Sequence, residues 1–242
     1  MKSALAAAAA SIAVLLAPTS AACGSTVVDA STSCAAPAPS SAAGYAAMFA
    51  DVNPAQWGGA DVSISVPLPD GRDVWLYGDT LSDGRFVHST AIVQTRGCLH
   101  VSAGGAQLLP NIDPTHIFWI HDAHFDAAAD RVKIRARLMV LDPSKGVWGF
   151  ADGGYWREFT AAVSPAGDLR VTRQSRLVAG PAPNPGPLYW LDSRPGHFGY
   201  ARHTHPEIRL ADGRTLVTTC QNWSDGVPPG GFVNYQPLFT EQ

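Results

Sequence analysis

Residues 57–79 read WGGADVSISVPLPDGRDVWLYGD, two alternating runs around a turn, with Asp61 before the first run and Asp79 at the end of the second. The LPDGR loop fits a three-residue connection in which Pro69 and Asp70 centre a type I turn and Gly71 takes the left-handed bulge position. That turn sets the register. Leu68 faces Arg72, then Val66 faces Val74, Ile64 faces Leu76 and Val62 faces Gly78 on one apolar face. The other face pairs Ser65 with Trp75, Ser63 with Tyr77 and Asp61 with Asp79. A slip of one residue would set apolar against polar throughout, so the pattern itself supports this pairing. Two carboxylates then oppose each other with Cβ atoms roughly 5 Å apart, a placement that costs stability.

Outward from this hairpin, short alternating runs recur between Gly, Pro and Asp punctuation: FVHSTAIVQT, CLHVS, HIFWIHDAHF, DRVKIRARLMVLD, WREFTAAVS and DLRVTRQSRLV. These are strands at hairpin spacing. Only the stretch around GYAAMFADV has helical period. The fold class is all-β. Residues 61–102 form one expected four-strand antiparallel meander and residues 116–178 a second, and serial four-stranded meanders point to a β-propeller. A β-sandwich is the alternative.

The chain has 242 residues, 46% hydrophobic and 15% charged, with a formal net charge of −3. No basic stripe is available to neutralise phosphates, so nucleic acid is not an expected partner. Lys2 followed by the apolar run to Leu16 and the small-residue stretch TSAAC reads as a signal peptide over residues 1–22. Residues 23–43, rich in Ala, Ser, Thr and Pro, read as a linker, and residues 44–242 as one folded domain. The protein is therefore expected to be secreted or held in the cell envelope, with a membrane anchor only if Cys23 is lipidated. Export permits disulfides among Cys23, Cys34, Cys98 and Cys220; sequence does not choose the pairing, and Cys23 with Cys34 is the simplest guess.

Opposed Asp61 and Asp79 suit a carboxylate pair in which crowding keeps one proton near neutral pH while the neighbour stays ionised. Glycoside hydrolysis uses that division, and the close spacing fits a retaining mechanism. The acid role would fall to whichever Asp lies nearer the Trp and Tyr side chains, here read as Asp79. Either Asp could instead end a strand by accepting backbone hydrogen bonds. Trp57, Trp75 and Tyr77 offer flat faces of the kind sugars stack on, although aromatic residues in strands are more often core. In FWIHDAHFD, Asp122 is a third candidate carboxylate; it shares a strand face with His124 while His121 lies opposite, so no metal site is expected there. His203, His205 and Glu207 form a polar row in HTHPE, where Glu207 is a candidate acid or, more ordinarily, an ion-pair partner of Arg202 or Arg209. No P-loop, nucleophile elbow or paired CxxC is present, and no cofactor is expected.

WGGAD, VPLPDGR and WLYGDT resemble the N-terminal signature of a bacterial domain-of-unknown-function family now associated with endo-D-arabinanase glycoside hydrolases, which are five-bladed propellers. YARHTHPEI with ADGRTLVTTCQN resembles that family's closing blade and carries over His205, Pro206 and Glu207. The resemblance implies hydrolysis of α-D-arabinofuranosyl linkages in a cell-envelope arabinan polysaccharide by Asp61 and Asp79, and the protein is expected to be a monomer. Five blades need more than about 200 residues. This chain passes almost directly from the second meander to the closing motif, so it resembles a shortened member. A propeller that binds carbohydrate without turnover is the alternative.

Overall fold

The computed structural model describes residues 34–184, 188–191, 194–224 and 235–242; the signal-peptide reading and Cys23 lie outside them. The described residues are all-β, in four antiparallel sheets. The first hairpin is formed by β2, here numbered in chain order after the short β1 (Gly59–Ala60), and β3: Ile64–Pro67 and Arg72–Tyr77. Its register is the expected one, with Ile64 opposite Leu76, Ser65 opposite Trp75 and Val66 opposite Val74. The turn is also as read: Leu68 N–H donates to Arg72 O at 2.8 Å, Gly71 N–H donates to Leu68 O at 3.1 Å, and Gly71 has φ 84°. The Asp70 carboxylate accepts from both the Arg72 backbone N–H and the Arg72 guanidinium, which braces the loop.

The sheet continues through β6 (Thr90–Thr95) and β7 (Cys98–Val101) in the order β2-β3-β6-β7. Between β3 and β6 the chain makes a second hairpin that the simple four-strand reading of residues 61–102 omits. β4 (Thr80–Ser82) and β5 (Arg85–Val87) pair with each other, and β4 pairs with β1. The signal was present as Asp83-Gly84, both at positive φ (51° and 65°), the requirement of a two-residue hairpin turn. This hairpin starts one residue after Asp79 and so builds one wall beside it.

The second meander is close to expectation: β8 (His116–Asp126), β9 (Arg131–Leu141), β10 (Phe150–Val163) and β11 (Leu169–Gln174) pair in sequence, with β12 (Val178–Ala179) joined to β10. A further sheet runs β13-β14-β15-β16, from Tyr189–Trp190, His197–Arg209, Thr215–Trp223 and Leu238–Glu241.

Both faces of the β2-β3-β6-β7 sheet are covered. Its aliphatic face, with Ile64, Val66, Val74, Leu76 and Val93, packs on Phe118, Ile134, Ala136 and Phe159 of the second meander. Its other face carries Trp75, Tyr77 and Ile92 into a second core with Trp57, Ile208 and Leu216. Helix α1 (Ala42–Ala50), capped by the Ser41 hydroxyl on Gly44 N–H, closes that core with Tyr45 and Phe49, which are four residues apart and so on one helix face. Phe49 meets Trp75 edge to face at 5.2 Å and stacks on Phe239 at 5.1 Å. Burying each large apolar side chain contributes up to about 3 kcal/mol.

This packing corrects three expectations. Trp57, Trp75 and Tyr77 are each 0% exposed and present no face to a sugar. They are core because α1 and the β13-β16 sheet cover what the sequence alone presents as an outer face. Second, the linker does not extend to residue 43: Ala36 O accepts from Gly97 N–H, Ser40 O accepts from Ala211 N–H, and α1 starts at Ala42. Third, Cys34 pairs with Cys98 across 64 residues, while Cys220 is a buried free thiol. Cys34 reaches β7 because the segment after it runs along the β6–β7 turn.

Candidate functional site

The ladder of β2 ends at Ile64, yet Asp61 and Asp79 remain opposed beyond it. Asp61 N–H donates to Asp79 O at 3.0 Å, and Gly78 N–H donates to Asp61 O at 2.8 Å. Val62 between them has φ 52°, an unfavourable conformation for a β-branched residue that costs of order 1–3 kcal/mol. The kink turns the Asp61 carboxylate back over the partner strand, where Oδ1 accepts from Asp79 N–H at 2.7 Å. Gly78 makes room for it, since a Cβ there would collide with Asp61 Oδ1. Only the N–Cα–Cβ–Cγ path of Asp79 then separates the two carboxyl groups, which places them within about 7 Å of each other.

The two acids have different partners. Asp61 Oδ2 accepts from the Tyr200 hydroxyl of β14 at 2.8 Å, and the Tyr235 hydroxyl lies 3.3 Å from that of Tyr200. Burial, then the Asp79 charge, push the Asp61 carboxyl up to about 7 against the pull of these donors. Asp79 Oδ1 accepts from His88 Nδ1 at 2.9 Å, just past β5, and from Trp119 Nε1 of β8 at 3.2 Å. Burial raises the Asp79 carboxyl as well, opposed by His88 and Trp119. The Asp79 side chain keeps 15% of its surface exposed, so the pair opens to solvent on that side. Trp and Tyr proximity therefore does not single out Asp79: the tyrosines face Asp61, and an indole N–H stabilises charge on Asp79.

The other candidates lie elsewhere. His205, 1% exposed, shares a cluster with Ser65 and Thr218, its Nδ1 2.5 Å from Ser65 Oγ and its Nε2 2.8 Å from Thr218 Oγ1. Burial, then His203, hold His205 down to about 3, so the ring is neutral and structural. Ser65 Oγ also donates to Glu207, which takes the place of the expected arginine partners: Arg202 bonds Gln242 and Arg209 bonds Thr215. Asp73, pushed up to about 6 by burial and then the Glu207 charge, lies at this end of the sheet. Asp79 follows Asp73 by six residues, past the end of β3 and about 20 Å away along extended chain.

Asp122 is half-exposed, 3.2 Å from His121 Nδ1 and 3.8 Å from Arg135. The β8–β9 register shifts between Ile120 and Asp122, so the strict alternation that set His121 opposite Asp122 fails at this bulge. Trp119, three residues earlier, is the β8 side chain that reaches the acid pair. Among the described residues, no group of three or more His, Cys, Asp or Glu is placed to hold a metal ion.

Sequence reasoning missed His88, Trp119, Tyr200, Tyr235 and Gly78. Each stands in or beside a segment already read as a strand, except Tyr235. Nothing local marks Tyr200 or Trp119, because their partners lie far away in the chain: Tyr200 is 139 residues from Asp61 and Trp119 is 40 from Asp79.

No family's sequence profile matches the chain, and no curated protein does. Among solved structures it is similar to a chain described as a "putative hydrolase from Bacteroides ovatus ATCC 8483", at 15% identity with a TM-score of 0.42. The alignment covers 83% of this chain and 57% of that one, so this chain spans less than two thirds of the other's length.

Proposed function

We propose that the protein is an exported, propeller-type glycoside hydrolase that cleaves α-D-arabinofuranosyl linkages of envelope arabinan. The observation that carries the reading is the Asp61 carboxylate seated 2.7 Å from the Asp79 backbone N–H, with each acid given its own donors. Serial four-stranded meanders support the propeller architecture. The arabinan specificity rests on the resemblance of WGGAD, YGDT and HTHPE to the endo-D-arabinanase family.

In this mechanism Asp61, with a carboxyl raised to about 7, keeps its proton near neutral pH and protonates the leaving glycosidic oxygen. Asp79 is the nucleophile: His88 and Trp119 both donate to Oδ1, which leaves Oδ2 to attack the anomeric carbon. The C–O bond of the substrate breaks as the Asp79–sugar ester forms. Asp61, now ionised, takes a proton from the water that hydrolyses the ester and returns to its starting state.

The number of four-stranded meanders among the described residues, three rather than five, favours a second reading in which the pocket binds arabinan without turnover. A reducing-sugar assay on D-arabinan separates the two. The hydrolase reading expects product from the wild type and loss of at least about 100-fold in Asp61→Asn and Asp79→Asn. Binding without product in the wild type overturns it.

A further inference from the structure

Trp119, the indole that donates to Asp79 Oδ1, belongs to a row across the second meander: its β9 partner is Arg137, whose β10 partner is Trp156. Directly paired residues share a sheet face, and two strand spacings put the Trp156 backbone about 10 Å from that of Trp119. A cavity of about 620 Å³ opens at that end, and His121, Arg135, Trp156, Arg157 and Gly180 are among the residues lining it. Its floor is braced. Arg137, 3% exposed, gives Nε and Nη2 to the Asp152 carboxylate, each at 2.6 Å, and Nη1 to Gly180 O at 3.0 Å. Trp156 Nε1 donates to Pro181 O at 3.1 Å, and a Cβ on Gly180 would meet the indole at 2.9 Å, so the segment after β12 is seated on Trp156. Arg135 lies against the same indole at 4.1 Å, yet half of its side chain is exposed and its carboxylate partner, Asp122, is 3.8 Å away. A loose, exposed pair of this kind contributes little and leaves the guanidinium donors available. Arg157 Nε is buried with no hydrogen-bond partner among the described residues. Glu158, an acid of the lining, is met by Lys133 Nζ at 3.0 Å. The surrounding surface is basic: residues 131–176 hold nine Lys or Arg against four Asp or Glu, in a chain whose net charge is −3.

We infer that this cavity is a subsite for an anionic group, carboxylate or phosphate, borne by the sugar chain and received by Arg135. A guanidinium presents its donors as a planar fork that matches either anion with two parallel hydrogen bonds. Arg135 is held for that task by Trp156, so less freedom is lost when an anion docks. The occupant is a saccharide because the cavity adjoins the acid pair: the Trp119–Arg137–Trp156 row runs from Asp79 to the cavity floor, and an oligosaccharide laid along it reaches both. The inference rests on the glycoside hydrolase reading and adds that the polymer carries acidic groups near the bond that is cut.

The test uses the mature chain with Asp79→Asn, which prevents turnover, titrated by calorimetry at low salt. The probes are D-arabinan oligosaccharides, the same oligosaccharides with a terminal phosphate monoester or a terminal carboxylate, and inorganic phosphate. At least one acidic form is expected to bind about 10-fold tighter than the neutral one, and the arm that does so identifies the acid. Arg135→Gln should abolish that preference and Arg135→Lys restore part of it, whereas Arg173→Gln, an equal loss of charge on β11 outside the cavity, should keep it. No preference in the parent, or a preference that survives Arg135→Gln, overturns the subsite, and turnover by the wild type then leaves the hydrolase reading standing. Inorganic phosphate bound as tightly as the phosphorylated oligosaccharide overturns it in favour of a free-anion site. An Arg135-dependent preference without wild-type turnover overturns the hydrolase reading and leaves the subsite. No binding and no turnover with any probe overturn both.

Discussion

Replacing Asp61 by Asn should stabilise the protein, and by an amount that depends on pH. In the folded chain the Asp61 carboxyl is pushed up from 3.8 to about 7 by burial and then by Asp79. A carboxyl raised on folding costs stability progressively as pH climbs from its unfolded value through its folded one. At 1.36 kcal/mol per unit, that cost is between about 1 and 2 kcal/mol at pH 5 and between about 4 and 5 kcal/mol at pH 8. The wild type therefore loses roughly 3 kcal/mol across this interval that Asp61→Asn does not lose. Asn keeps an oxygen to accept from Asp79 N–H and an amide to meet the Tyr200 hydroxyl, so the packing survives. Other titrating groups are common to both proteins and cancel in the comparison, apart from Asp79, which is also relieved of its neighbour's charge. Urea unfolding of both proteins at pH 5 and pH 8 measures the double difference. The variant should gain about 3 kcal/mol more at pH 8 than at pH 5, or about 6–12 °C in Tm for a domain of this size. A difference between variant and wild type that is the same at both pH values would refute the buried, charge-repelled carboxyl. Stability gained by removing a residue is the mark of a site kept for chemistry.

Three further outcomes are expected. The pH dependence of turnover on D-arabinan should fall away above about pH 7 as Asp61 loses its proton, and at the acid side as Asp79 gains one; His88→Ala should move the acid limb upward by removing a donor to Asp79, read from kcat against pH. Gly78→Ala should reduce turnover at least about 10-fold for a stability loss of only about 1–3 kcal/mol, because the new methyl displaces the Asp61 carboxylate; unchanged kcat would mean that its position does not matter. Cys98→Ser should cost about 4 kcal/mol in denaturant unfolding, the value for closing a loop of 64 residues, and dithiothreitol should make wild type and variant alike.

The LPDGR turn and the alternation on either side of it determined the β2–β3 register, and with it the opposition of Asp61 and Asp79, because both are local: a bulge glycine fixes the loop, and a slip of one residue would turn every side chain over. The same locality made the β8–β11 meander legible, and Asp83-Gly84 marked the β4–β5 hairpin for any reading that gave the dipeptide its weight. Tertiary structure decided the rest. Whether Trp75 and Tyr77 face water or core depended on α1 and the β13-β16 sheet lying over them, which no period in β3 records. Cys34 found Cys98, and Glu207 found Ser65 rather than an arginine two residues along its own strand, through contacts across tens to over a hundred residues. Most of all, the sequence set two like acids face to face, while Tyr200, Tyr235, His88 and Trp119, brought in from separate elements, made them unlike. A carboxylate's chemistry is set by burial and by the donors around it, and those are properties of the packed chain.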